Sequence, residues 1–227
     1  MASNVLEVVL QEARQLRWLN LVVVNLRILI GFAFLPASLK KILGQPFTDP
    51  ENVGIFHEFV QVFHATGGFY QFVGVMQFMA AVLLMTQRFA TLGAMLMLPI
   101  VVAITALCWS TAGLPTTIVV TLMSLGTVGL LLWDFQKWRG VFSAEQQEES
   151  IRIAPAAEVI ERGLWQRCGL AIVLVYLLAC ALQGGVYRPR GVELDNPAFY
   201  LLPLIALFPI VTWLVDRARC QPGADKP

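Results

Sequence analysis

Residues 89–133 contain no Asp, Glu, Lys or Arg, a run of 45 consecutive uncharged positions. A segment of that length without solvated groups cannot cover its own surface in water, and lipid is its natural solvent. At roughly 20 residues per crossing it is long enough for two membrane helices. Ser110-Thr111-Ala112-Gly113-Leu114 provides the turn between them. The rest of the chain agrees, with 57% hydrophobic and 14% charged residues, against about 25% charged in an ordinary soluble domain. This composition excludes a disordered chain, a disulfide-stapled secreted domain and a nucleic-acid binder. A formal net charge of +1 exerts no bulk pull on anionic partners.

Six apolar segments qualify as spans: 19–39, 69–87, 89–109, 115–133, 168–187 and 197–215. The expected fold is an all-α integral membrane protein embedded in the lipid bilayer. Pro197 follows Asp195-Asn196 and suits a first helical position. Pro36, Pro99, Pro203 and Pro209 fall inside spans, where neighbouring helices can satisfy the freed carbonyls. Trp18, Trp109, Trp133 and Trp213 fall at span ends, as an aromatic belt requires.

Lys and Arg counts orient the spans. The N-terminal side carries Arg14, Arg17, Arg88, Lys137, Arg139, Arg152, Arg162, Arg167, Arg217, Arg219 and Lys226. The opposite side carries Lys40, Lys41, Arg188 and Arg190. Both termini are therefore expected in the cytoplasm. The leader contains Glu7 and Glu12 and precedes too long an apolar run for a cleaved signal peptide.

The expected organisation begins with an interfacial amphipathic helix within 1–17, in which Asn4 and Glu7 have capping-box spacing. A four-span unit over 18–137 follows, carrying an outer-loop helix at 53–65. A cytoplasmic linker occupies 138–167, two further spans occupy 168–216, and a cytoplasmic tail covers 217–227. In the outer loop, Phe56, Phe59, Val60 and Phe63 form one helical face, and His57, Gln61 and His64 form another.

Arg27 is the sharpest functional signal. It lies eight residues into the first expected span, about 12 Å along the axis. An ionised residue at that depth costs at least a few kcal/mol and marks a site by default. Asn20, Arg27, Gly31, Phe34 and Ser38 share a helical face. Two readings stay open: a structural arginine bonded to helix carbonyls and Asp134, or a ligand-binding arginine meeting a lipid phosphate or a quinone carbonyl. Gln71 and Gln77 on the second span are neutral partners for it.

His57 and His64, the only two histidines, stand seven residues apart, about 10 Å along a helix, too far to share a metal. No metal site is expected. Either histidine is a solvated interfacial group or a proton carrier near a quinone head group. The four cysteines have no C-x-x-C spacing. Cys108 and Cys180 both fall in the outer half of the membrane, which leaves open a disulfide between them or two small buried hydrophobes. No Walker A, G-x-S-x-G, GxGxxG or HExxH pattern is present, so no catalytic or cofactor-ligating motif can be named.

Several motifs occur in a recognisable order. Arg27-x3-Gly31-x2-Phe34 runs into Leu39-Lys40-Lys41-Ile42-Leu43. A proline-containing loop and a Gly- and Gln-containing span follow, then Met85-Thr86-Gln87-Arg88-Phe89-Ala90-Thr91-Leu92-Gly93-Ala94, and finally Leu131-Leu132-Trp133-Asp134-Phe135. In these features residues 20–142 resemble the DoxX-like family of small bacterial integral membrane proteins. Many members carry an acid in the second span where this chain has Gln71 or Gln77. The resemblance implies a four-helix membrane bundle in the bacterial inner (plasma) membrane, here extended by two spans. It implies an accessory subunit of a quinone-linked redox process, working through a redox or membrane-complex partner protein. Alternatives are a non-catalytic lipid-binding, assembly or chaperone-like protein and, third, a small-solute transporter. The expected ligand is quinone or phospholipid, neither covalently bound, and a homo-oligomer is compatible with these readings.

Overall fold

The computed structural model describes residues 10–49, 51–136, 160–186 and 198–220. The expected interfacial helix before residue 10, most of the linker, the Asp195-Asn196-Pro197 helix start, Arg188, Arg190 and the tail beyond 220 lie outside them. Residues 10–15 are helical. Among the described residues, seven helices follow: α1 Arg17–Ile42, α2 Ile55–Ala65, α3 Gly68–Met85, α4 Ala90–Thr111, α5 Leu114–Trp133, α6 Arg162–Gln183 and α7 Ala198–Cys220. Among the described residues there is no strand. Helices α1, α3, α4, α5 and α6 are long and apolar enough to cross a membrane, so the chain is a multi-pass membrane protein by length and composition.

Two boundaries correct the sequence reading. Helix α1 has 26 residues, about 39 Å, and extends past both expected ends. Helix α6 begins at Arg162, so 162–167 belongs to the helix and not to the linker. The expected limit followed the loss of hydropathy at Arg162 and Arg167. Exposed arginines on a helix end keep their heads in water while their stems cover apolar surface.

Helix α1 packs on α3, α3 on α4, α4 on α5, and α5 returns to α1, so these four helices touch in a closed cycle. Helices α6 and α7 pack on each other, and α6 also meets α3 and α1. The core runs along α3, with Ala80, Ala81, Leu84 and Met85 fully buried against Leu35, Met97, Val101, Trp165 and Ile172. Helix α5 exposes Leu114, Ile118, Leu122 and Leu125, a surface suited to lipid chains.

Close backbone approach explains two glycines. A Cβ at Gly31 would strike the Met85 side chain and the Ala81 carbonyl oxygen, and one at Gly169 would strike the Met85 carbonyl group. Glycine lets α1 and α6 seat directly on the last turn of α3, as small residues do in membrane helix interfaces.

The chain enters α1 at one end of the bundle, here called proximal. That end holds residues 85–90, 133–136, 160–165 and 216–220. The distal end holds residues 43–49, 51–57, 64–70 and 111–116.

Candidate functional site

Two polar regions emerge, one at each end of the bundle. The proximal one is built around Arg27, buried to 7% exposure on α1. Its Nη2 donates to Asp134 Oδ2 at 2.6 Å and its Nη1 to Gln87 Oε1 at 3.2 Å. Asp134 is the C-cap of α5 and also accepts from the Thr91 hydroxyl at 3.0 Å. Gln87 lies in the α3–α4 turn with φ 60°, a conformation that a non-glycine residue adopts only at some cost. The cluster thus joins α1, the α3–α4 connection and α5. Arg27 Nε is buried with no hydrogen-bond partner.

Arginines surround this cluster. Arg14 donates to the Gln136 side chain and to the Trp133 carbonyl oxygen, and its guanidinium lies over the Trp133 ring. Burial pushes the Arg14 pKa down, Asp134 opposes that shift, and Arg162 adds to it. Further round the rim, Arg17 Nη2 pairs with Asp216 Oδ2 at 2.9 Å. Asp216 is fully buried, and its Oδ1 accepts the Glu161 backbone N–H at 2.7 Å. Glu161 in turn accepts from Arg219 at 2.9 Å.

The distal region is organised by the chain leaving α1. Gly44 takes φ 65°, and its carbonyl lies 3.0 Å from His64 Nε2. A carbonyl oxygen only accepts, so His64 Nε2 carries the proton in this bond. The His64 and Phe63 rings both meet Tyr70 edge-on at 5.1 Å, and Tyr70 donates to the Gln45 carbonyl oxygen at 2.9 Å. His64 therefore ties α2 to the end of α1.

His57 faces a different environment. Beside it lies a cavity of about 300 Å³, lined by Val53, Ile55, Phe56 and His57 at the start of α2 and by Thr111, Ala112, Gly113 and Thr116 of the α4–α5 turn. His57 Nδ1 is buried without a hydrogen-bond partner.

The other candidates are scattered. Asn20 does not join Arg27. Its Nδ2 donates to the Arg14 carbonyl oxygen, beside the break in helix at residue 16, and to the Leu16 carbonyl oxygen, which also accepts the Asn20 backbone N–H. Gln71 is exposed near the distal end, while Gln77 is buried with its Oε1 lacking a partner. Arg27 bonds the glutamine of the turn instead. Cys108 and Cys180 form no disulfide.

Lys41 is a further correction, since it is buried at 7% exposure and not solvated in a loop. Its ammonium donates to the Ala37 carbonyl oxygen at 3.3 Å and lies 4.7 Å from the Phe47 ring centroid. Sequence reasoning missed Gln87, Thr91, Arg14 and Asp216 as network members. The i, i+4 spacing of Gln87 and Thr91 was the one available signal, since it links the turn to the first helical turn of α4.

Comparison with protein-family models, curated proteins and solved structures finds no match to this chain.

Proposed function

We propose that the chain is a DoxX-like, six-span inner-membrane protein with both termini in the cytoplasm. In this reading α7 is the sixth crossing, and the protein serves as an accessory subunit of a quinone-linked redox process. The supporting observation is the distal cavity, with His57 Nδ1 buried beside it and lacking a partner. A buried polar atom without a hydrogen bond is costly, and a ligand oxygen would satisfy it. Protonated, Nδ1 donates to a carbonyl; unprotonated, it accepts from a hydroxyl. One imidazole thus suits both the oxidised and the reduced form of a quinone ring. Val53, Ile55 and Phe56 supply apolar walls, and Thr111 and Thr116 add hydroxyls. Bound quinone supplies acceptance of two electrons and two protons. The electrons come from a partner protein carrying its own redox centre, and His57 passes protons at the cavity.

Purification from native membrane tests this reading. Quinone and a redox partner are expected to accompany the wild-type chain, and His57→Ala is expected to lose the quinone while keeping its fold. Repeated recovery with neither quinone nor partner overturns it.

A second reading, a non-catalytic lipid-binding, assembly or chaperone-like protein, is favoured by the Arg27–Asp134 pair. Here the deepest charge serves to hold helices together. Arg27→Ala then lowers folding yield with no separate loss of redox activity per folded molecule.

A further inference from the structure

The His57 cavity lies at one end of α2, and α2 is too short to be a span. Its C-terminal end meets the start of α3, where the Phe63 ring packs edge-on against Phe69 and Tyr70. Its N-terminal end meets the α4–α5 turn across the cavity. Eleven residues cover about 16 Å, so α2 bridges the distal tips of α3 and of the α4–α5 hairpin, where the spans end. Three faces run along it. Phe56, Val60, Phe63 and His64 turn toward the bundle, with Val60 buried. Glu58 and Gln61 form an exposed polar edge. Ile55, Phe59 and Val62, at i, i+4 and i+7, form an exposed apolar edge. The Phe63–Phe69 contact joins α2 to the exposed face of α3, formed by Phe69, Phe72, Val75 and Met79. Helix α3 is a membrane-crossing helix by length and composition, so that face meets lipid. The mouth of the cavity falls on the apolar edge. Val53 and Ile55 line the cavity yet stay 87% and 68% exposed. On the far side Gly113 and Thr116 line it, and next to them Leu114 and Ile118 of α5 are exposed. Among the described residues no hydrogen bond joins 53–57 to 111–116. Side-chain bonds hold α2 at its His64 end; at the cavity end only packing holds it.

Resting on the reading of the His57 cavity as a ligand site, we propose that it opens sideways into the distal lipid leaflet, between the apolar edge of α2 and the start of α5, and takes a lipophilic ligand from the bilayer. Lipid covers Ile55, Phe59 and Val62 and seats α2 at the boundary between acyl chains and head groups, while Glu58 and Gln61 stay in water. A polar ring carried on an apolar tail fits this opening. The ring reaches His57 Nδ1, which is buried without a partner, and the tail stays among acyl chains. A hydrophilic solute would first have to cross the apolar rim of Val53, Ile55 and Leu114.

The experiment uses the full-length chain in vesicles of phosphatidylethanolamine and phosphatidylglycerol. Ile55→Cys, Phe59→Cys and Glu58→Cys, each combined with Cys180→Ser and Cys220→Ser, carry a bimane label; Cys108 and Cys168 are buried. Nitroxide-bearing lipid is expected to quench the labels at 55 and 59 at least about threefold more than the label at 58, and aqueous iodide to do the reverse. Iodide quenching at 55 and 59 equal to that at 58 overturns the proposal. Shielding of 55 and 59 from both quenchers also overturns it, because a second copy or a partner protein then covers the edge. Ile55→Glu places a carboxylate in the mouth at an exposed position. It is expected to cut retention of a decyl-substituted benzoquinone about fivefold, while Ala65→Glu, exposed at the held end of α2, keeps it. An Ile55→Glu variant that retains the quinone as wild type does overturns the proposal. Labels at 55 and 59 in lipid, with no quinone retained by the wild-type chain, support the sideways opening and overturn only quinone as the ligand.

Discussion

Asp134 Oδ2 lies 2.6 Å from Arg27 Nη2, and the two residues are 107 positions apart in the chain. The bond closes the cycle of α1, α3, α4 and α5 at its proximal end. Removing one partner of a buried ion pair strands the other and costs about 3 kcal/mol or more. Arg27→Gln and Asp134→Asn are each expected to lower stability by about that amount. The apolar double variant Arg27→Met with Asp134→Leu is expected to lose less than either, because no buried charge remains. Thermal unfolding of the four proteins in one detergent checks this. A double variant that loses the sum of the two singles shows that the groups do not act as a pair.

Gln87 combines a strained backbone with a useful side chain. At φ 60° a non-glycine residue costs roughly 1–2 kcal/mol, while a hydrogen bond to a charged group contributes about 1.5–3 kcal/mol. Gln87→Ala keeps the strain and loses the bond; Gln87→Gly loses both. The expected order of stability is wild type, then Gln87→Gly, then Gln87→Ala, read from unfolding midpoints. Alanine as stable as glycine at this position contradicts the strain argument.

Much of this arrangement was visible in the residue order, and the part that was not has a physical reason. The uncharged run at 89–133 becomes the α4–α5 hairpin, flanked by Arg88 and Asp134 where polar groups resume. The depth of Arg27 followed from counting along one apolar helix. Its engagement of both Asp134 and Gln87 is a tertiary fact, because it depends on how three separate segments come together in space. Lys41 read as a loop charge because it ends an apolar run. Its burial depends on Phe47, six residues later, folding back over it. Asn20 shares a helical face with Arg27 on paper, but it donates to the Arg14 carbonyl oxygen beside the helix break at residue 16 and to that of Leu16.

Gly169 sets how α6 docks. A methyl group there meets the Met85 carbonyl group, which is backbone and cannot rotate away. Gly169→Ala is expected to push α6 and α7 off the four-helix cycle, with faster hydrogen exchange and proteolysis in 162–183. Gly163→Ala, where the added group meets nothing, serves as the matched control. Equal exchange in the two variants contradicts the docking role.

Asp216 joins two neighbours through different oxygens, Oδ2 to Arg17 and Oδ1 to the Glu161 N–H. Asp216→Asn keeps an oxygen for the amide and loses both the charge and the acceptor toward Arg17, whose guanidinium water reaches in part. The expected cost is about 1 kcal/mol. Asp216→Leu leaves the Glu161 N–H buried and unsatisfied as well, so its cost rises to about 3 kcal/mol. Midpoints that fall equally for the two variants would show that the ion pair, and not the amide bond, dominates.

The two histidines of α2 should separate cleanly by their contacts. His64 donates to the Gly44 carbonyl oxygen and packs on Tyr70, so His64→Ala removes a tie between α2 and the end of α1. A neutral hydrogen bond contributes about 1 kcal/mol, and the edge-on ring contact adds about 0.5–1.5 kcal/mol. Hydrogen exchange in 55–65 is therefore expected to speed up by at least about tenfold. His64→Gln restores a donor to Gly44 but not the ring, and should recover part of the protection. His57 Nδ1 has no such partner, so His57→Ala is expected to leave exchange in α2 close to wild type. A His57→Ala protein that opens as fast as His64→Ala would show that His57 holds the helix in place, and would remove it from consideration as a ligand-binding group.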